Sequence, residues 1–386
     1  MTFAPPRAFL AVLCCLAMFL YAVYLGAVGV LLPRIGETFG LGAEAQGRLF
    51  PASFSGFVIG VLLCGWLSDR WGRKRIMLLG MAGYAVGLAL FGVLPWFGAA
   101  LAATVLIGAG SGAMEVAASA LSADLFPERR AFMLNATQVA FGVGAAFAPS
   151  LVRNALGSGI PWQSLYIGLA AINAVVALVL VFLKVPRPST HEALELADLK
   201  RVLRTRLFAA LCIMQLLYVG AEVSYFSWLP TYFEKGIAGG AAWVATVGTV
   251  FWIAMTVGRF AVGFLMEKQP LRKLTVLSAT LGAFAAGATL LQPSPLAATV
   301  CVALAGLSIS GIFSLILAEA SENYQQAPGS AIGGVMTAGG LGGAIVPYIV
   351  GALTDVGPGM RWALGAVPLC LALLALLGAT ASRLRR

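Results

Sequence analysis

Glu115, Glu222 and Arg259 each lie deep inside a long apolar run of the chain. An ionisable group at the centre of a bilayer costs about 2.5–3.5 kcal/mol on insertion scales, so it faces protein or water and marks a functional site by default. Glu115 lies about nine residues from the end of the fourth run, Glu222 about fifteen into the seventh, and Arg259 about eight before Glu267. At about 1.5 Å per residue the three fall near one depth. Two compatible readings stand: a functional site that faces protein or water, or one buried ion pair of Arg259 with either glutamate that holds helices together. Other chemistry lacks raw material. His191 is the single histidine and sits in a polar stretch, which leaves nothing for His-based metal sites or a Ser-His-Asp centre. The six cysteines all fall in apolar runs without a Cys-x-x-Cys pair and read as small packing residues.

The elements that must position these charges are membrane spans. Apolar residues make up 60% of the chain and charged ones 10%, more greasy surface than a soluble globule can hide. Twelve apolar segments, each near the ~20 residues that cross ~30 Å of hydrocarbon, run approximately over 8–32, 50–67, 76–96, 99–123, 131–152, 162–183, 207–232, 241–266, 274–291, 297–317, 331–353 and 362–381. The first is too long and too closely followed by others for a cleaved signal peptide. Trp96 and Trp162, near segment ends, read as interface anchors. With both termini cytoplasmic, 19 of the 25 basic residues fall on the cytoplasmic side, as the positive-inside rule requires. The net charge of +10 thus reports topology and contact with the lipid bilayer rather than a nucleic-acid partner.

The longest polar stretch divides six segments from six. This sets an N-terminal bundle at 1–185, a cytoplasmic linker at 186–206 whose 194–203 portion suits an amphipathic surface helix, and a C-terminal bundle at 207–386. A shift of 198 residues carries Gly65, Asp69, Arg70, Lys74 and Arg75 onto Gly263, Glu267, Lys268, Arg272 and Lys273. It also carries Gly142–Pro149 onto Gly340–Pro347 and Asp124 onto Glu322. One offset matching three separated places means two parallel, pseudo-symmetric six-helix bundles, an architecture that places a binding site near the midplane. Glu115, Glu222 and Arg259 map onto Phe313, Tyr24 and Val61, so the three charges lie outside the scaffold that the halves share.

The stretch Gly65-Trp66-Leu67-Ser68-Asp69-Arg70-Trp71-Gly72-Arg73-Lys74-Arg75 resembles the loop signature of the major facilitator superfamily, Gly-x-x-x-Asp-Arg-x-Gly-Arg-Arg/Lys-Arg/Lys, with every fixed position filled. The resemblance implies an all-α integral membrane fold of 12 transmembrane helices with this loop between the second and third. Gly65 permits close helix approach, and Asp69, one turn on, can meet a helix N-terminus, in the family that of the eleventh span. Arg73 is expected to pair with Asp124, and Arg272 with Glu322. Together Gly65, Asp69, Arg70, Arg73, Asp124, Gly263, Glu267, Arg272 and Glu322 are the expected gating set. The plain alternative is that these cations only obey the topology rule.

A narrower resemblance, to the fucose-galactose-glucose:proton symporter branch, rests on Gly110-Ser111-Gly112-Ala113-Met114-Glu115, Leu134-Asn135-Ala136-Thr137-Gln138, Tyr218 to Glu222 with Trp228-Leu229, Gly258-Arg259-Phe260, and Gly342 to Pro347 with Gly351 and Asp355. It implies a secondary transporter of a small polar solute, a monosaccharide above all, with proton coupling at Glu115 and Glu222. A sugar needs paired hydrogen-bond donors and acceptors and a flat apolar face. Asn135, Gln138, Gln215, Tyr218, Tyr225 and Trp228 supply these beside Glu115, Glu222 and Arg259, with Tyr24 and Trp252 behind; each of the polar and aromatic groups also suits packing. Where the branch's fucose transporter has an acidic residue before Leu-Leu-Pro, this chain has Gly29. A facilitative uniporter, or an exporter of another solute such as an organic anion drawn to Arg259, therefore stays open. A membrane sensor or embedded enzyme has neither a soluble domain nor a catalytic constellation to rest on. The expectation is a multi-pass inner-membrane protein that works as a monomer with a small-molecule substrate and protons, and with neither cofactor nor metal.

Overall fold

Twelve runs of this length in lipid have one economical solution: helices, which satisfy every backbone N–H and C=O within the segment. The computed structural model describes residues 6–126, 130–185, 205–266, 269–324, 328–357 and 359–380. Twelve helical spans among them are long and apolar enough to cross a membrane. In the first half they are α1 (Arg7–Phe39), the short α2 (Ala43–Gly47) leading into α3 (Leu49–Trp71), α4 (Arg73–Val93), α5 (Phe97–Leu125), α6 (Arg130–Gly157) and α7 (Trp162–Val181). The second half has α8 (Arg206–Gly236), α9 (Val244–Met266), α10 (Leu271–Leu291), α11 (Pro295–Ile309) and α12 (Ile312–Asn323) as one interrupted span, α13 (Pro328–Val356), and α14 (Met360–Ala363) running into α15 (Ala366–Thr380).

The ends follow local chemistry. Gly40 closes α1 in the left-handed region at φ 65°. Thr205 and Ser294 cap α8 and α11 by accepting from the N–H of Phe208 and Ala297. Trp162, expected at the interface, is buried instead, with its indole N–H donating to Thr38 Oγ1 at 2.9 Å, whereas Trp96 is 71% exposed.

Packing groups the chain into two compact units, Met1–Gly40 with Ala52–Glu192, and Leu41–Pro51 with Ala193–Arg386. The expected linker lies largely outside the described residues, as does His191. Each unit repeats one device. In the first, a Cβ on Gly144 of α6 would stand 2.4 Å from the Phe19 carbonyl of α1; in the second, a Cβ on Gly342 of α13 would stand 2.0 Å from the Leu216 carbonyl of α8. Glycine at both places lets two backbones touch, the small-residue packing that membrane helices rely on. The glycines are related by the 198-residue shift.

Residues 41–51 pack with the second unit. The Asp355 carboxylate accepts from the N–H groups of Ala43 at 3.0 Å and Glu44 at 2.7 Å, satisfying the open amides at the start of α2. Tyr348 donates to Glu44 at 3.3 Å, and Arg48 pairs with Glu44 at 3.1 Å.

Candidate functional site

In the first unit Glu115 sits on α5 between two close helix approaches. A Cβ on Gly110 would stand 2.3 Å from the Tyr84 amide of α4, and one on Gly112 would stand 2.5 Å from the Phe57 carbonyl of α3. The two glycines of the Gly-x-Gly-x-x-Glu pattern thus press α5 onto two neighbours at once, and the glutamate emerges one turn later. Tyr21 of α1 lies within electrostatic reach of Glu115 and close to Ser111, whose hydroxyl donates to the Gly108 carbonyl at 2.9 Å. Its ring packs on Phe57, with centroids 6.3 Å apart, and meets Phe141 edge-on at 5.4 Å. Sequence reasoning missed Tyr21. The available signal was a buried-segment tyrosine at the depth of the glutamate, one turn before the Tyr24 that was noticed. Gln138 on α6 is half-buried, and the Asn135 side chain lies outside the described residues.

The second unit holds a denser polar cluster. Gln215, Tyr218 and Glu222 follow one another at three- and four-residue steps, so they share one face of α8. Glu222 forms an ion pair with Arg259 of α9 at 3.6 Å; their side chains are 12% and 28% exposed. This is the pairing allowed for at the outset, with the acid now identified. Tyr218 lies beside that pair, yet its hydroxyl makes no well-formed hydrogen bond. Gln215 is fully buried with both amide atoms unpartnered among the described residues. A buried unsatisfied amide or hydroxyl costs about 1–3 kcal/mol, so the face is built for hydrogen bonds that the protein itself does not complete.

Other expected contacts are already committed. The Tyr225 hydroxyl bonds Thr289 Oγ1 at 2.7 Å, and the Trp228 indole N–H donates to the Pro347 carbonyl at 2.9 Å; both side chains are fully buried. Tyr24 stands edge-on to Tyr84 and Tyr166, and Trp252 packs on Phe226 and Phe251. These four belong to the packing behind the polar faces.

At the loop joining α3 to α4, Arg73 Nε donates to Asp124 at 3.2 Å and Nη1 to Ser68 Oγ at 2.9 Å, with both partners of the ion pair largely buried. The turn depends on Gly72, whose φ of 88° disfavours any side chain. Lys74 Nζ donates to the carbonyls of Val181 and Leu183 and so caps the end of α7, a role absent from the sequence reading. In the second unit Arg272 pairs with buried Glu319, not with Glu322, which is exposed one turn further along α12. The Gly65, Asp69 and Arg70 side chains and Glu267 lie outside the described residues, and Gly263 faces open space.

The L-fucose-proton symporter of Escherichia coli (strain K12) is 27% identical, the alignment covering 89% of this chain and 86% of that protein. The cis,cis-muconate transport protein of Acinetobacter baylyi (strain ATCC 33305 / BD413 / ADP1) is also 27% identical, over 84% of this chain and 82% of its own length. The crystal structure of a mutant of the nucleoside transporter NupG superposes with a TM-score of 0.79 at 13% identity, over 98% of this chain and 100% of that one, and so shares the fold. The model of the Major Facilitator Superfamily matches residues 14–347. With twelve spans in two pseudo-symmetric bundles and this family match, the chain is a multi-pass membrane transporter, not an enzyme, and it belongs to the Major Facilitator Superfamily.

Proposed function

We propose that the protein is a secondary active transporter of a monosaccharide, driven by protons through Glu115 and working by alternating access of the 1–185 and 207–386 bundles. It would reside in the inner membrane with both termini cytoplasmic and act as a monomer. The observation that carries this reading is Gln215 with two unpartnered amide atoms beside the unpartnered Tyr218 hydroxyl, both buried on one face of α8. A hydroxyl-rich solute supplies donors and acceptors in the pairs that such a face lacks. Glu115, on a helix held in place by Gly110 and Gly112, is the carboxylate that would exchange the proton. Arg73–Asp124 and Arg272–Glu319 tie each loop to its own unit and form the gating set in this scheme.

Glu115→Gln keeps the shape and removes the titrating group. Uphill uptake driven by a pH gradient into proteoliposomes is expected to fall to background while counterflow exchange persists. Unchanged gradient-driven accumulation in the variant would overturn the coupling role.

A second reading has its own observation. Arg259 is 28% exposed and its ion pair, at 3.6 Å, is looser than a bidentate fork. A carboxylate solute would take Arg259 from Glu222, and the muconate protein among the relatives carries such an acid by name. Thermal shift on the purified protein separates the two readings, since a ligand at 100 times its Kd adds about 2.7 kcal/mol. Stabilisation by monosaccharides supports the first and by small organic acids the second.

A further inference from the structure

A half-open cavity of about 280 Å³ lies wholly within the first unit, bordered by α1, α6 and α7. Its wall is apolar: Val23, Ala27 and Leu31 from α1, Leu151 from α6, and Leu169 and Ile172 from α7. None of the buried unpartnered polar atoms among the described residues belongs to it. Tyr24 lines it with its ring held edge-on by Tyr84 and Tyr166. Water has little to bond there. An apolar cavity of about 150 Å³ already stays dry and takes up a benzene-sized guest, and this one is nearly twice as large.

Its dimensions point to the guest. On α1 the lining runs from Phe19 to Leu31, about 18 Å along the helix, close to the roughly 15 Å depth of one leaflet's hydrocarbon. The sides open between Phe147 and Ile172, which are 49% and 53% exposed, so the cavity reaches the apolar outer surface of the first unit. One end is polar. Ser164 lines it, and one turn beyond Leu31 and Leu151 on the same helix faces stand Arg34 and Asn154, both exposed. Arg34 pairs with Glu37 at 2.8 Å while keeping 49% of its side chain in the open. A cation above an apolar shaft complements a phosphate above a hydrocarbon tail.

Gly168 supplies an independent sign. It lies inside α7 at an ordinary helical φ, and no heavy atom comes within 4 Å of where its Cβ would sit. Nothing in the packing therefore calls for glycine, which costs about 0.5–1 kcal/mol relative to alanine within a helix. What its missing side chain preserves is the cavity.

We propose that this cavity is a binding site for one acyl chain of a glycerophospholipid, with the lipid phosphate at Arg34 and Asn154. Glu115 is not among its lining residues, and the site does not depend on the identity of the transported solute. The test uses full-length protein reconstituted with phosphatidylglycerol that carries a photoactivatable diazirine in one acyl chain, followed by digestion and mass spectrometry. Adducts are expected to concentrate on peptides holding Val23–Leu31 and Leu165–Ile172, roughly tenfold above those on α15. Gly168→Phe should cut them by about tenfold, the effect of about 1.4 kcal/mol, with the melting temperature retained. If that variant fails to fold, Ala27→Leu fills the same space from α1 and carries the same expectation. An alkyl glycoside with the same diazirine chain, lacking the phosphate, should label the cavity several-fold less, and Arg34→Gln should erase that difference. Adducts spread evenly over the outward faces, or undiminished in both filled variants, would overturn the site. Equal labelling by the glycoside would overturn the phosphate contact.

Discussion

Arg73 and Arg272 serve the same joint in the two halves and are not equivalent residues. Under the 198-residue shift Arg272 matches Lys74, so the second cation stands one position late in its helix. One residue turns a helix by about 100°, and the acid answers that turn. Arg73 meets Asp124 with Ser68 sharing the load, whereas Arg272 meets Glu319, a turn inward of the acid that the repeat aligns with Asp124. The turn before the cation differs as well: Gly72 at φ 88° in the first unit, Pro270 at φ −57° in the second. A loop motif that has decayed in sequence is thus rebuilt around another partner. What persists is a buried Arg–carboxylate tie, not a set of positions.

Removing the acids gives the sharpest test. Glu319→Ala leaves Arg272 mostly buried without its carboxylate, and breaking a buried pair from one side costs about 3–5 kcal/mol. Glu322→Ala, at an exposed position, should stay within about 0.5 kcal/mol. Unfolding in detergent measures both, and a reversed order would return the partnership to the position that the repeat indicates. Next come the turns. Gly72→Ala forces a side chain into a backbone of φ 88° and ψ 148°, open essentially to glycine alone, at about 1–3 kcal/mol, while Pro270→Ala sits at an ordinary φ and should change stability by less. Equal effects would mean that the two loops share one geometry after all. The smallest expected effect concerns Lys74, the aligned counterpart of Arg272. Lys74→Met removes a cation from the end of α7 and should cost about 0.3–1 kcal/mol, an effect that shrinks in high salt. A cost as large as that of Glu319→Ala would make Lys74 a structural tie rather than a helix cap.

Sequence alone determined the spans, their number and the twofold repeat, because in hydrocarbon a long apolar run has only the helix open to it and each span is set by its own residues. It also picked out Glu115, Glu222 and Arg259, since charge in an apolar run is visible without any neighbour. Tertiary structure decided which groups meet. Gln215 and Tyr218 read the same in sequence as Tyr225 and Trp228, yet the first two are left unpartnered while the last two are tied to Thr289 and Pro347. Glu319 could not be preferred to Glu322, nor Asp355 assigned to the start of α2, because a partner more than forty residues away along the chain depends on helix rotation and depth. A one-residue change in register turns a side chain from one neighbour to the next, and only the packed structure fixes that register.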